Sequence, residues 1–189
     1  MTVRPIIREM ERSEIDAIWQ IDRGEFVDGI YYLEDGELVL KPEQYDMKGW
    51  PPGEAEHYGP MLLDCFDRGG TFYGAFERDR LVGVAVLEDR FIGSRLDQLQ
   101  LKFLHVSRPY RSKGLGTRLF REAEARAREL GARRLYISST PSRHTVEYYM
   151  SLGCRPAAEV DSGLFELEPE DIHLEYVIPS DVSADEGAS

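Results

Sequence analysis

Between Leu99 and Leu130 the chain passes from an apolar run, through a basic turn with two glycines, into a long amphipathic repeat. No other stretch limits the fold as strongly. In Leu99, Leu101, Phe103 and Leu104-His105-Val106 the β-formers dominate, which predicts a strand ending near Val106. Pro109 has no N–H to give a ladder, so Ser107 to Lys113 reads as a loop. From Leu115 the apolar positions Leu115, Leu119, Ala123, Ala127 and Leu130 recur at helical spacing, and Gly131 closes the helix. A strand, a basic Gly-rich loop and a helix N-terminus together present free backbone N–H groups to an anion. Gly114 and Gly116 let a phosphate approach the main chain, and Arg111 and Lys113 add positive charge. The stretch therefore predicts a phosphate cradle.

The type of cradle follows from what is missing. A nucleotide P-loop needs a Gly-Lys-Ser/Thr end, which this loop lacks, and the dinucleotide fingerprint wants a third glycine where Leu119 stands. Two glycines alone would also suit a plain, tight strand-to-helix connection. The run LHVSRPYRSKGLGTRLF, however, resembles the acetyl-CoA-binding motif of the GCN5-related N-acetyltransferases (GNAT), Gln/Arg-x-x-Gly-x-Gly/Ala, filled here by Arg111, Gly114 and Gly116. Ser142 to Cys154 resembles a second motif of that family, Asn-x-x-Ala-x-x-Phe-Tyr-x-x-x-Gly-Phe. Tyr149 matches its tyrosine, while Ser142, Thr145 and Cys154 depart from it.

The resemblance is specific over Leu99 to Cys154 and implies a fold, an activity and a site. The expected fold is α/β, of the α+β type. It is a mixed, mostly antiparallel sheet of about six to seven strands, splayed at the central strand and flanked by helices. Residues 1–178 would form a single domain, with 24–60 as an insertion on the acceptor side. The implied activity is acetyl-CoA-dependent N-acetylation of a primary amine, a small molecule rather than a protein. A non-catalytic acetyl-CoA-binding sensor or scaffold is the alternative, and another phosphorylated ligand is a third reading. Backbone at Leu104, His105 and Val106 would pair with the pantetheine. The pyrophosphate would sit on Arg111, Ser112, Lys113, Gly114, Leu115 and Gly116, with a hydroxyl from Thr117; Ser142 and Tyr149 complete the cofactor set.

In such a reaction an amine attacks the thioester carbonyl, and a preorganised donor near Val106 would hold the oxyanion. The leaving thiolate gains from a proton, and a phenol with pKa about 10 suits a thiol near 8.5. Tyr149 is the expected general acid. A base must first neutralise the ammonium, and the sequence does not single one out. His105 has a suitable intrinsic pKa, although a strand histidine equally serves as a core residue; Glu77, Asp97, Glu34 or a water chain are the others. No pairing has Ser-His-Asp or Cys-His logic, so direct transfer in a ternary complex is expected.

The rest of the chain bounds the setting. At 189 residues with 42% apolar content, one core is expected. Cys65 and Cys154 stand apart, without partners at metal spacing, which suggests a reducing compartment and no metal. The start lacks an apolar signal region and no stretch is long enough to span a bilayer, so a cytoplasmic protein without membrane contact is expected. Net charge is −12, concentrated as −7 in 24–60 and −10 in 156–189. Nucleic acid is thereby disfavoured as a partner. The acidic block at 24–60 could favour a cationic acceptor or simply be a solvated face, and its Phe26, Tyr31, Tyr32, Tyr45 and Trp50 could line a pocket or form a small core. Further strands are expected at 2–7, 30–33, 37–40, 71–76, 81–87, 135–138, 157–160 and 172–177. Helices are expected near 13–22, 54–67 and 145–152. Residues 179–189 read as a disordered acidic tail. Oligomeric state stays open, a homodimer through sheet edges being one arrangement the resemblance allows.

Overall fold

The computed structural model describes residues 4–180. The predicted tail from 181 onward, and the first two residues of the predicted first strand, lie outside the described residues. The elements in order are β1 (Ile6–Glu9), a 3-10 helix (Arg12–Gln20), β2 (Glu25–Val27), β3 (Ile30–Glu34), β4 (Glu37–Lys41), β5 (Tyr45–Met47) and α1 (Glu54–Arg68). Then come β6 (Thr71–Glu77), β7 (Arg80–Ile92), β8 (Gln98–Val106), a short 3-10 turn (Arg108–Tyr110), α2 (Leu115–Glu129), β9 (Arg134–Ser139) and α3 (Arg143–Ser151). The chain continues through β10 (Arg155–Pro156), α4 (Ser162–Leu167) and β11 (Ile172–Val177).

Seven strands form one sheet in the order β1-β6-β7-β8-β9-β11-β10, antiparallel throughout except where β8 meets β9. This is the mixed, mostly antiparallel sheet that the resemblance implied. Its strongest strand, β7, carries the uninterrupted apolar run Leu81 to Leu87, and that composition suits a strand covered on both faces. On one face Val82, Ala85 and Leu87 meet Leu115, Leu119, Ala123 and Ala127 of α2. On the other, Leu81, Val84 and Val86 meet Ile15 and Ile18 of the 3-10 helix and Leu62 of α1. Fully burying an aliphatic side chain of this size contributes roughly 1.5–3 kcal/mol, so these two layers fix the sheet between them.

The parallel contact between β8 and β9 is short: Gln98, Leu99 and Gln100 pair with Arg134, Leu135 and Tyr136. Beyond Gln100 the two strands part. The departure coincides with a bulge in β8, where Val86 faces Phe103 but Leu87 faces Leu101, leaving Lys102 as the extra residue. An open wedge between Leu101–Val106 and the end of β9 follows, and it positions the site.

Residues 24–60 form two small antiparallel pairs, β2–β5 and β3–β4, and the start of α1. The β3–β4 hairpin turns on Asp35 and Gly36 at φ 51° and 84°, the two positive angles of a type I′ turn. Two local expectations change. The segment opening at Ser13 winds as a 3-10 helix, its start closed by Glu11 and Glu14 in a capping box. The strand expected at 157–160 is absent, because pairing with β11 stops at Pro156. The Asp161 side chain instead accepts the Leu164 N–H at 3.0 Å and starts α4.

Candidate active site

The wedge between β8 and β9 is a cleft of about 780 Å³. One part of its wall is the loop into α2. Gly114 caps that helix in the left-handed region at φ 77°, and no side chain caps the helix N-terminus. The first intrahelical bond runs from Arg118 N to Gly114 O at 3.1 Å, so the amides before it have no acceptor within the helix. Gly116 leaves the approach to these amides bare: a Cβ there would lie 3.1 Å from the Tyr148 hydroxyl and 3.7 Å from Val106 Cγ2. A phosphate fits a cradle of uncapped amides without a side chain over them.

Arg111, Ser112, Gly114, Gly116 and Thr117 line the cleft, as do Leu104, His105 and Val106. Past Gln100 these β8 residues have no β9 partner, so their main chain is free on that side for an extended ligand. Lys113, Leu115 and Ser142 stand outside the cleft wall. Lys113 Nζ turns back to the Pro109 carbonyl at 2.8 Å. Leu115 is a core residue of α2. Ser142 is fully buried, its hydroxyl bonded to Thr145 Oγ1 at 2.9 Å at the start of α3. Arg111 is tied down as well. Its guanidinium donates to the carbonyls of Val106 (2.8 Å), Gly24 (2.8 Å) and Asp22 (3.0 Å), stitching the loop to the segment after the 3-10 helix.

Tyr149 lines the cleft and is only 6% exposed; burial holds its phenol well above the usual pKa, so it stays protonated at neutral pH. Its neighbour Tyr148 also faces the cleft. The Tyr148 hydroxyl is buried without a hydrogen-bond partner among the described residues and is pushed up to about 12 by burial. The motif position that Tyr148 fills is a phenylalanine in the family pattern, so the sequence carried no signal for that hydroxyl.

The candidate bases named from sequence separate cleanly. His105 alone lies in the cleft, its ring 4.8 Å from Trp50 and 5.2 Å from Phe103 between centroids. Burial first, and then Arg23 and Arg111, hold its pKa well below 6.5, so it is a neutral imidazole with little affinity for a proton. Glu77 is bonded to the Tyr110 hydroxyl at 2.6 Å, Asp97 to Arg134 at 2.7 Å, and Glu34 to Lys41, and none of the three lines the cleft.

The remaining wall is acidic: Glu25, Glu54, Glu147, Glu168, Glu170 and Asp171. Glu54 is paired with Arg23 at 3.0 Å. Glu147, on α3, is paired with Arg143 at 3.0 Å. Only Glu25 and Glu54 come from the 24–60 block; Glu168, Glu170 and Asp171 precede β11. Of the five aromatics named from sequence in that block, Tyr45 alone reaches the cleft; Tyr58, which sequence reading did not name, lines it too. Trp50 packs on Trp19 and Phe103, its indole donating to the Ile21 carbonyl at 2.9 Å, while Phe26 is 59% exposed. Asp171 is the titratable group that sequence reading missed. Burial first, then Glu168, raises its carboxyl to about 7. Among the described residues no group of three or more His, Cys, Asp or Glu is arranged to hold a metal, and no helix is long and apolar enough to cross a membrane.

Comparison with known proteins fits this geometry. The acetyltransferase (GNAT) family model matches residues 16–154. Among solved structures, a nourseothricin acetyltransferase superposes with a TM-score of 0.70 at 18% identity, covering 94% of this chain and 100% of its own. A protein described as a streptothricin acetyltransferase from Bacillus anthracis strain Ames, solved with acetyl coenzyme A, gives 0.68 at 18% identity, over 95% of this chain and 100% of its own. The PaiA N-acetyltransferase of Thermoplasma acidophilum, solved with coenzyme A, gives 0.61 at 16% identity, over 93% and 99%. A search of curated protein sequences found no match. A splayed β8–β9 pair, a bare-amide loop at α2 and a family match across three-quarters of the chain converge: this protein belongs to the acetyltransferase (GNAT) family and is an N-acetyltransferase.

Proposed function

We propose that the protein moves an acetyl group from acetyl-CoA to the primary amine of a small cationic molecule, by direct attack within a ternary complex. One observation carries the reading: the cleft that reaches the uncapped N-terminus of α2 is walled elsewhere by six carboxylates, of which only Glu54 and Glu147 have an ion-pair partner among the described residues. Carboxylates in a confined cleft concentrate cations and orient an ammonium group. The pyrophosphate rests on the first amides of α2, and the pantetheine follows the free main chain of Leu104 to Val106 beside Thr117. Relatives solved with acetyl coenzyme A or coenzyme A support the choice of donor.

The amine attacks the thioester carbon, giving an oxyanion held by backbone N–H groups. When the C–S bond breaks, the Tyr149 phenol gives its proton to the sulfur, and the protonated amide nitrogen returns one to the phenolate. Coenzyme A and the acetylated amine leave. Thiol release measured against acetyl-CoA with a panel of monoamines, diamines, polyamines, amino acids and a peptide N-terminus tests the reading. Cationic small amines should turn over best. Tight coenzyme binding with no thiol release from any amine would mean a sensor or scaffold instead.

A further inference from the structure

Asp171 sits immediately before β11, whose first residue, Ile172, pairs with Ser139 of β9. It therefore lies on the far side of the wedge from β8, and it lines the cleft along with Tyr149. The two are close enough that the Asp171 charge acts on the Tyr149 phenol. Asp171 is partly buried, and no Lys, Arg or His nitrogen lies within 4.0 Å of its carboxylate among the described residues. The charged groups that act on it are known. Glu168 and Glu170 come from its own loop, Glu54 from α1, and Arg23 from the segment after the 3-10 helix; Arg23 is itself paired with Glu54. Tyr149 of α3 completes the set. A desolvated carboxylate facing three others and no cation of its own gains by accepting a proton. His105, the candidate base named from sequence that lies in the cleft, is held neutral by burial and two arginines.

We propose that Asp171 is the catalytic base, its carboxylate taking the proton from the acceptor's ammonium so that the neutral amine can attack. The inference rests on the amine-acetylation reading above. The step balances: ammonium and carboxylate become amine and carboxylic acid, the amine forms the N–C bond as the C–S bond breaks, and the carboxylic acid gives its proton to water after product leaves. The carboxyl, raised to about 7, titrates where such a base has to work. The neighbouring Glu168 and Glu54 maintain that poise, and each attracts the ammonium before its proton is lost.

The test compares the parent with Asp171→Asn on whichever amine the parent acetylates fastest. The expected result is a fall in kcat/KM of about 10²- to 10⁴-fold at pH 7. The limb of the pH profile near 7 should disappear, while the calorimetric Kd for acetyl-CoA stays that of the parent. The defect should shrink as pH rises, and it should shrink most for hydroxylamine, which is already neutral at pH 7. Glu168→Gln, which leaves Asp171 in place but removes one charge that attracts the ammonium, should raise the amine KM and move the limb of the kcat profile to lower pH. Asp171→Asn with parental kcat/KM and an unchanged profile overturns the proposal while leaving amine acetylation standing. Should the parent itself acetylate no amine, the acetylation reading fails and this proposal falls with it.

Discussion

Replacing Gly116 with valine isolates the anion cradle from the fold. The glycine lies in the first turn of α2, and the Cβ of any other residue would meet the Tyr148 hydroxyl at 3.1 Å and Val106 Cγ2 at 3.7 Å. Those contacts are tight but one is the far end of a side chain, so the helix itself can form. The valine methyl groups then occupy the space over the amides of Leu115, Gly116 and Thr117, where the proposed pyrophosphate site lies. A hydrogen bond to a charged group contributes about 1.5–3 kcal/mol, so losing one or two costs about 2–4 kcal/mol. That corresponds to a coenzyme A Kd roughly 30- to 1,000-fold weaker. Helical propensity favours valine over glycine slightly, so the melting temperature should move by no more than about 3 °C. Gly114→Ala provides the contrast. Nothing lies within 4 Å of the added Cβ, but φ is 77°, so the cost is backbone strain of about 1–2 kcal/mol in stability. Calorimetric titration with coenzyme A, paired with thermal melts of both variants, reads the two effects separately. A folded Gly116→Val protein that binds coenzyme A as tightly as the parent would refute the cradle.

Other outcomes follow from the same geometry. Tyr149→Phe should lower kcat about 10²- to 10⁴-fold with acetyl-CoA affinity unchanged, measured by thiol release and calorimetry. Arg111→Leu removes three bonds to carbonyls and should cost about 2–4 kcal/mol in urea unfolding, whereas Lys113→Ala should stay within about 0.5 kcal/mol. Asp171 also makes a stability prediction. Its folded pKa of about 7 lies above the ordinary 3.8, so the folded state binds the extra proton and stability falls as pH rises from about 4 through 7. Asp171→Asn should therefore be more stable than the parent at pH 8, by about 2–4 kcal/mol after allowing for the part of the carboxyl that water reaches, with little difference at pH 4. Equal urea midpoints at pH 8 would contradict the desolvated environment assigned to Asp171.

Much of the architecture was legible residue by residue. The apolar run of β7, the 3.6-residue stripe of α2, the Asp35-Gly36 hairpin and Gly114 at the helix start all express local backbone preferences that a few consecutive residues settle. The two family motifs likewise placed Gly116 and Tyr149 on the same cleft. Local patterns were weaker where pairing ends, as at 157–160, because a strand needs a partner that its own residues do not reveal.

What the chain order could not show is which charges share a space. Glu25, Glu54 and Asp171 are separated by as much as most of the chain, and only the sheet brings them onto one wall. Arg111 looked like a phosphate ligand until its reach to Asp22 and Gly24 turned it into a stitch. His105 looked like a base until Trp50, Arg23 and Arg111 closed around it. Sequence alone pointed to the proposed cradle, because anion binding there would depend on backbone amides and on the absence of side chains. Tertiary structure decided the proton chemistry, because a pKa depends on burial and on neighbouring charges, and distant segments supply both.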